Sequence, residues 1–203
     1  MKKIFLTSSF KDVVDLFREF VDEDLKGKIL TFIPTASIPE EVVHYVYTAK
    51  EEFKKLGVIV EELDVAVATQ EEIKEKLERN DFIYVSGGNT FFLLQELRRS
   101  GADKIIKEQV DSGKLYIGES AGAIVTSPNI EYVRFMDDKE KATNLNTFEG
   151  LNLVGFYPVP HCINEPFKDA ASDLIVHYGS TLNLLPISNT QVIEVKENNV
   201  VVC

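Results

Sequence analysis

Continuity of the apolar runs is the feature that most restricts how this chain can fold. Residues 2–7, 29–33, 58–63, 81–85 and 115–117 form short, mostly uninterrupted apolar stretches rather than alternations of apolar and polar residues. A strand of that kind is covered on both faces, as in a parallel sheet packed between helices. Between the runs, apolar residues recur at helical spacing: Val13, Val14, Leu16, Phe17 and Phe20, then Val42, Val43, Val46 and Phe53, then Phe91, Leu94 and Leu97. Pro39 and Glu40 are expected to open the second helix and Gly57 to close it. Thr69 reads as the N-cap of a helix through Leu77, with Glu71 and Glu72 in its first turn. A turn at Gly101 precedes a further helical run to Val110. This alternation predicts an α/β fold with a mainly parallel sheet and helices on both faces, with ligands bound beyond the carboxyl ends of the strands.

After Thr126 the rhythm changes. Residues 128–160 are loop-rich, with a strand expected at 151–156, and a helix is expected around 167–178. Short strands follow at 182–185, 191–195 and 200–202, the last two joined by an Asn198-Asn199 turn. Internal repeats, low-complexity segments and linkers are absent from the 203 residues, which predicts one domain spanning 1–203.

Bulk properties exclude several function classes. A net charge of -11, with basic clusters no larger than pairs such as Arg98-Arg99, argues against a nucleic-acid partner. No apolar stretch reaches the roughly 20 residues that span a bilayer. The N-terminal run is cut short by Lys11 and Asp12, too early for a secretory signal. Two cysteines, Cys162 and Cys203, do not make a disulfide framework, so a reducing cytoplasm is the expected location. The acidic surface is compatible with a homodimer.

The chemistry concentrates at Gly118-Glu119-Ser120-Ala121-Gly122, where the run 115–117 turns abruptly into a helical segment, 121–126. This is the Gly-x-Ser-x-Gly nucleophile elbow, whose small residues allow a strained turn that holds the hydroxyl clear of the sheet. The following helix presents backbone N–H groups where an oxyanion would form. A serine nucleophile needs a base. His44 and His177 fall inside helical patterns with polar neighbours, whereas His161 follows Pro158-Val159-Pro160 in a rigidified loop and is the expected general base. The acid that would orient His161 is open among Asp137, Asp138, Glu165 and Asp169. Asp137 is favoured because Met136 beside it can anchor the loop on the core. Glu119 either lines the cleft or forms a salt bridge. The Ser86-Gly87-Gly88-Asn89-Thr90 loop lacks the length and the lysine of a phosphate-binding loop. It can supply a Gly88 N–H to join Ala121 N–H as an oxyanion hole, with Asn89 or Thr90 capping the next helix. Cys162 is expected to be a packed thiol.

Together, Tyr84-Val85-Ser86-Gly87-Gly88-Asn89-Thr90-Phe91, Tyr116-Ile117-Gly118-Glu119-Ser120-Ala121-Gly122-Ala123 and Pro160-His161 resemble the S51 serine peptidases, the group of peptidase E, or alpha-aspartyl dipeptidase, and the cyanophycinases. In particular the chain resembles a peptidase E-like branch from Gram-positive bacteria. The resemblance implies a flavodoxin-like three-layer α/β sandwich akin to class I glutamine amidotransferases, with serine in place of cysteine. By position it implies Ser120 as nucleophile, His161 as base, Asp137 as charge-relay acid and Gly88 with Ala121 as oxyanion hole, with no metal or cofactor. The implied substrate is a small peptide, cleaved through an acyl-enzyme. Two departures stand out. The arginine that follows the histidine in peptidase E, and holds the substrate aspartate, is missing: the last arginine is Arg134, and Lys168 lacks a bidentate fork. Where some relatives carry a late glutamate, this chain has Ser188-Asn189. The second departure tells against a cyanophycinase-like reading, and the missing arginine, with the open choice of acid, keeps open a second expectation, a homologue without turnover that binds a small amino-acid-like ligand or a protein partner in the same cleft. Residues 128–145 are the expected lid.

Overall fold

The computed structural model describes residues 2–203; Met1, the first residue of the expected domain, lies outside them. Five parallel strands, β1 (Lys3–Thr7), β2 (Ile29–Ile33), β3 (Ile59–Glu62), β4 (Phe82–Val85) and β5 (Leu115–Glu119), occupy the apolar runs. With two later strands, β8 (Val192–Lys196) and β9 (Asn199–Val202), they form a seven-stranded sheet in the order β3-β2-β4-β5-β1-β8-β9. Only β8 and β9 run antiparallel to their neighbours.

Alternate side chains of the inner strands feed two cores. Phe5, Phe82, Tyr84 and Ile117 face one side, against Phe17 and Phe20 of α1 (Val14–Val21) and Val46 and Phe53 of α2 (His44–Lys55). Ile4, Leu6, Ile83 and Val85 face the other, against α3 (Gln70–Arg79), α4 (Thr90–Ser100) and α5 (Ala102–Asp111). Both faces of β1, β2, β4 and β5 are therefore largely dry, and this is why their sequences read as continuous rather than alternating, whereas the edge strand β3 leaves Ile59 51% exposed. The α/β sandwich expected from the strand–helix alternation is the architecture found. Among the described residues no helix is long and apolar enough to cross a membrane.

Local signals set several element ends. Thr69 Oγ1 accepts from Glu72 N at 3.2 Å, and Asn89 Oδ1 accepts from Phe92 N at 2.9 Å, so Thr69 caps α3 and Asn89 caps α4. Three expectations need correction. The helix expected from Pro39 begins at His44, because residues 39–43 run along the rim of a cavity and Val42 stays 61% exposed. No strand forms at 151–156: Leu151, Leu153, Val154 and Phe156 are buried, but Leu151 N donates to Val125 O and Leu153 N to Thr126 O. These bonds satisfy carbonyls left without partners where the short helix α6 (Ala121–Ile124) ends. The final hairpin turns at Glu197 and Asn198, one residue earlier than expected, with Glu197 at φ 57°.

A separate two-stranded parallel sheet pairs β6 (Tyr157–Val159) with β7 (Leu184–Pro186) around α7 (Lys168–Tyr178). Its register sets Val159 beside Pro186, and two further bonds, Ile187 N to Val159 O and Cys162 N to Ile187 O, carry the pairing onward. The loops that leave the two strands, at 160–162 and 187–189, are thus held side by side.

Candidate active site

Ser120 occupies the turn between β5 and α6 at φ 50° and ψ -107°, a left-handed conformation that is costly for a residue with a Cβ. The turn closes because its neighbours are glycines. A Cβ on Gly118 would lie 2.4 Å from Gly122 O, and a Cβ on Gly122 would lie 2.1 Å from Val85 O, so the elbow packs backbone against backbone. Ser120 N donates to Thr7 O at 2.8 Å, which ties the apex to the carboxyl end of β1.

His161 reaches this serine from the β6 loop. Its Nε2 lies 3.1 Å from Ser120 Oγ, and its Nδ1 lies 2.7 Å from Asn189 Oδ1 at the end of the β7 loop. An amide oxygen can only accept, so Nδ1 carries the proton and Nε2 faces the serine with its lone pair. Phe167 stacks on the imidazole, with centroids 5.0 Å apart and planes at 28°. Asn164 Oδ1 accepts from Asn189 N at 2.9 Å and fixes the orienting residue in turn. Burial is the dominant influence on His161 and pushes its pKa below the ordinary histidine value, an effect partly offset by the Asn189 bond. The imidazole is thus neutral at pH 7, as a proton acceptor must be.

The structure brings Ser120 and His161 together and places Asp137 elsewhere. The expected contact between Asp137 and His161 is corrected: Asp137 Oδ2 accepts from Thr90 N at 2.8 Å, at the start of α4. The helix N-terminus, with its unpaired N–H groups and positive dipole end, is the partner that this loop can reach. Burial lifts the Asp137 carboxyl to a pKa of about 6. Asp138 accepts from Glu140 N, and its carbonyl accepts from Asn89 Nδ2 at 2.9 Å. Residues 136–138 and Lys141, within the expected lid, form one wall of the cavity. His44 lies on the cavity rim, whereas His177 sits on α7 beside Arg134. Cys162 is half-buried, and burial raises its thiol pKa.

Gly88, at φ 134°, fits where no other residue would: a Cβ there would sit 2.1 Å from Ala36 O. Among the described residues neither Gly88 N–H nor Ala121 N–H donates a hydrogen bond within the protein, and Gly88 lines the cavity with Ser120. Among the described residues Glu119 has no salt-bridge partner. Its Oε1 accepts from Phe10 N at 2.9 Å and its Oε2 from the Tyr84 hydroxyl. Burial raises its pKa to about 7. The cavity in front of Ser120 encloses about 590 Å³, a volume suited to a small ligand. Its lining includes the acidic residues Asp12, Glu40 and Asp138 and the two lysines Lys11 and Lys141, whereas the carboxyls of Asp137 and Glu119 are taken up by Thr90 N and by Phe10 N and Tyr84. Among the described residues no group of three or more His, Cys, Asp or Glu side chains is arranged to hold a metal ion.

Asn189, Asn164, Phe167 and Ser8 are the site residues that sequence reasoning did not find. The one available signal was the resemblance, which set Ser188-Asn189 against the late glutamate expected of some relatives.

The fold places the chain among α/β proteins with a mostly parallel sheet flanked by helices. It belongs to peptidase family S51, whose sequence profile matches residues 4–203. An uncharacterized peptidase of Listeria monocytogenes is 54% identical over 201 residues, covering 99% of this chain and 98% of that protein. An uncharacterized peptidase of Pasteurella multocida is 50% identical over 202 residues, covering 100% and 97%. Peptidase E of Haemophilus influenzae is 32% identical over 144 residues, 71% of this chain and 60% of that protein. The crystal structure of a Listeria monocytogenes EGD-e protein superposes with a TM-score of 0.96 at 54% identity, covering 100% of this chain and 98% of that one. A peptidase from an acI-B1 Actinobacterium shares the fold, with a TM-score of 0.70 at 23% identity over 97% of this chain and 84% of that one.

Proposed function

We propose that this member of family S51 is a serine peptidase that hydrolyses the amide bond of small peptides through an acyl-enzyme on Ser120. The observation that carries the reading is the 3.1 Å approach of His161 Nε2 to a serine hydroxyl held on a strained elbow. In the first half-reaction Ser120 Oγ attacks the scissile carbonyl carbon while its proton passes to Nε2 of neutral His161. The tetrahedral oxyanion is met by Gly88 N–H and Ala121 N–H, donors that require no reorganisation. The C–N bond then breaks, and His161 returns the proton to the departing amine. A water molecule, deprotonated by the same nitrogen, releases the acid product and free Ser120.

In this reading the orienting residue is Asn189, not an acid. A neutral amide sets the tautomer without adding charge, as asparagine does in the Cys-His-Asn variants of this arrangement. The lining of the cavity also bears on specificity. With Lys11 and Lys141 as the cavity's lysines, it has no guanidinium fork for a substrate aspartate, so N-terminal aspartate should not be a requirement.

The test is hydrolysis of a dipeptide library, with free amine followed over time. Wild-type protein is expected to cleave a subset without preference for N-terminal aspartate, and Ser120→Ala none. Equal turnover by Ser120→Ala would refute the reading, and strict dependence on N-terminal aspartate would refute its specificity.

A further inference from the structure

Glu119 is spent on a task that no ion pair explains. It follows directly on β5, is 4% exposed, and points away from Ser120 into the aromatic side of the sheet. There it takes two hydrogen bonds, from the Tyr84 hydroxyl and, at 2.9 Å, from Phe10 N. The second bond matters for the site because Phe10 N ends the loop that leaves β1. Two residues earlier in that loop, Ser8 Oγ accepts from His161 N at 2.9 Å and donates to Ile187 O at 3.3 Å. Ser8 is 2% exposed, so these partners are not exchanged for water. His161 itself sits at φ 60°, a conformation that the surroundings must impose on a residue with a Cβ.

We propose that Glu119 is a positioning residue that acts on His161 through the β1 loop. Its carboxyl holds the peptide N–H at Phe10, the loop holds the Ser8 hydroxyl, and that hydroxyl holds the His161 backbone in its left-handed turn. The residue next to the nucleophile thereby sets the place of the base, and both partners share one reference, the carboxyl end of β5. Phe10 strengthens the anchor, since its ring stacks on Phe53 with centroids 4.1 Å apart. That packing fixes the side chain but not the rotation of the peptide before it. The carboxyl, pushed up to a pKa of about 7 by burial, can change charge near neutrality without losing either bond, because both donors remain in place. The task therefore needs an acceptor rather than a charge. The inference rests on the Ser120–His161 reading of the site, and its test separates the two.

Amide hydrogen exchange at Phe10 and His161, read by NMR, is measured beside the rate of fluorophosphonate labelling in wild type, Glu119→Gln, Glu119→Ala, Ser8→Ala and the Glu119→Ala/Ser8→Ala double variant. Glu119→Gln keeps an acceptor for Phe10 N–H and should retain protection at both amides, with labelling within about threefold of wild type. Glu119→Ala should lose protection at Phe10 and at His161 and label about 10- to 100-fold more slowly, the range expected for displacement of a catalytic group by up to about 1 Å. The double variant should be no slower than the slower single variant, because the two changes break one tether. Unchanged His161 protection or an unchanged labelling rate in Glu119→Ala overturns the proposal, and so do additive effects in the double variant. Wild-type protein that fails to label counts against the serine reading instead, and exchange at His161 then decides the tether on its own.

Discussion

Replacing Asn189 asks what a neutral orienting group contributes. Asn189→Ala removes the acceptor that Nδ1–H of His161 meets at 2.7 Å in a partly buried bond. A buried donor left without a partner costs about 1–3 kcal/mol, and if that cost appears in the transition state it corresponds to about 5- to 150-fold in kcat/KM. The lower end applies if the ring, still stacked on Phe167, keeps its orientation; the upper end applies if the tautomer is also lost. Asn189→Asp is the complementary change. A carboxylate in the same place would stabilise the imidazolium, since a bond to a charged group is worth about 1.5–3 kcal/mol against about 0.5–1.5 for a neutral one. It should therefore raise the His161 pKa and move the acid limb of the pH–kcat/KM profile to higher pH. Both variants are assayed by fluorophosphonate labelling and by steady-state cleavage across pH 4–9. Wild-type kcat/KM in Asn189→Ala, within about twofold, would refute the argument, because an interaction worth 1 kcal/mol or more could not then be present.

Four further outcomes follow from the same geometry. Asp137→Asn keeps an acceptor for Thr90 N and should leave kcat/KM within about threefold, whereas loss of a true relay carboxylate costs about 10⁴. In the wild-type pH profile, kcat/KM should fall on the acid side with an apparent pKa below 6.5, since burial favours the neutral imidazole; persistence of that limb in Asp137→Asn and Glu119→Gln assigns it to His161. Glu119 binds its proton more tightly folded, at about 7, than its ordinary 4.5, so its contribution to stability is complete below 4.5 and lost as pH rises through about 7. Thermal melts should accordingly show the Tm of Glu119→Gln gaining on wild type across that window; a constant difference would contradict the burial argument. Gly88→Ala drives a Cβ into Ala36 O and should lower stability by at least about 1–3 kcal/mol, seen as a fall in the urea midpoint.

Much of this architecture is legible in the chain because it rests on local causes. The runs that became β1, β2, β4 and β5 announce two-sided burial by their continuity, and Thr69 and Asn89 announce helix starts by their side-chain oxygens. The elbow is legible for the same reason, since Gly118 and Gly122 allow a contact that any Cβ would block. Asn189 was hidden because its role depends on the parallel pairing of β6 with β7, which brings together loops 28 residues apart, and because an amide has no titration signature to attract a search for a base partner. Asp137 attracted that search through Met136 beside it, but its carboxyl accepts from Thr90 N at the start of α4. Residues 151–156 misled because burial alone does not make a strand: their backbone groups found the end of α6 rather than a neighbouring strand.

The central claim is that Ser120 is an activated nucleophile with His161 as its base. Intact mass after exposure to a fluorophosphonate, followed by peptide mapping, tests it directly. The account predicts one adduct per chain on wild type, located at Ser120, absent from Ser120→Ala and formed at least about 10³-fold more slowly in His161→Ala. An unmodified wild-type protein, or an adduct that persists in Ser120→Ala, would contradict it.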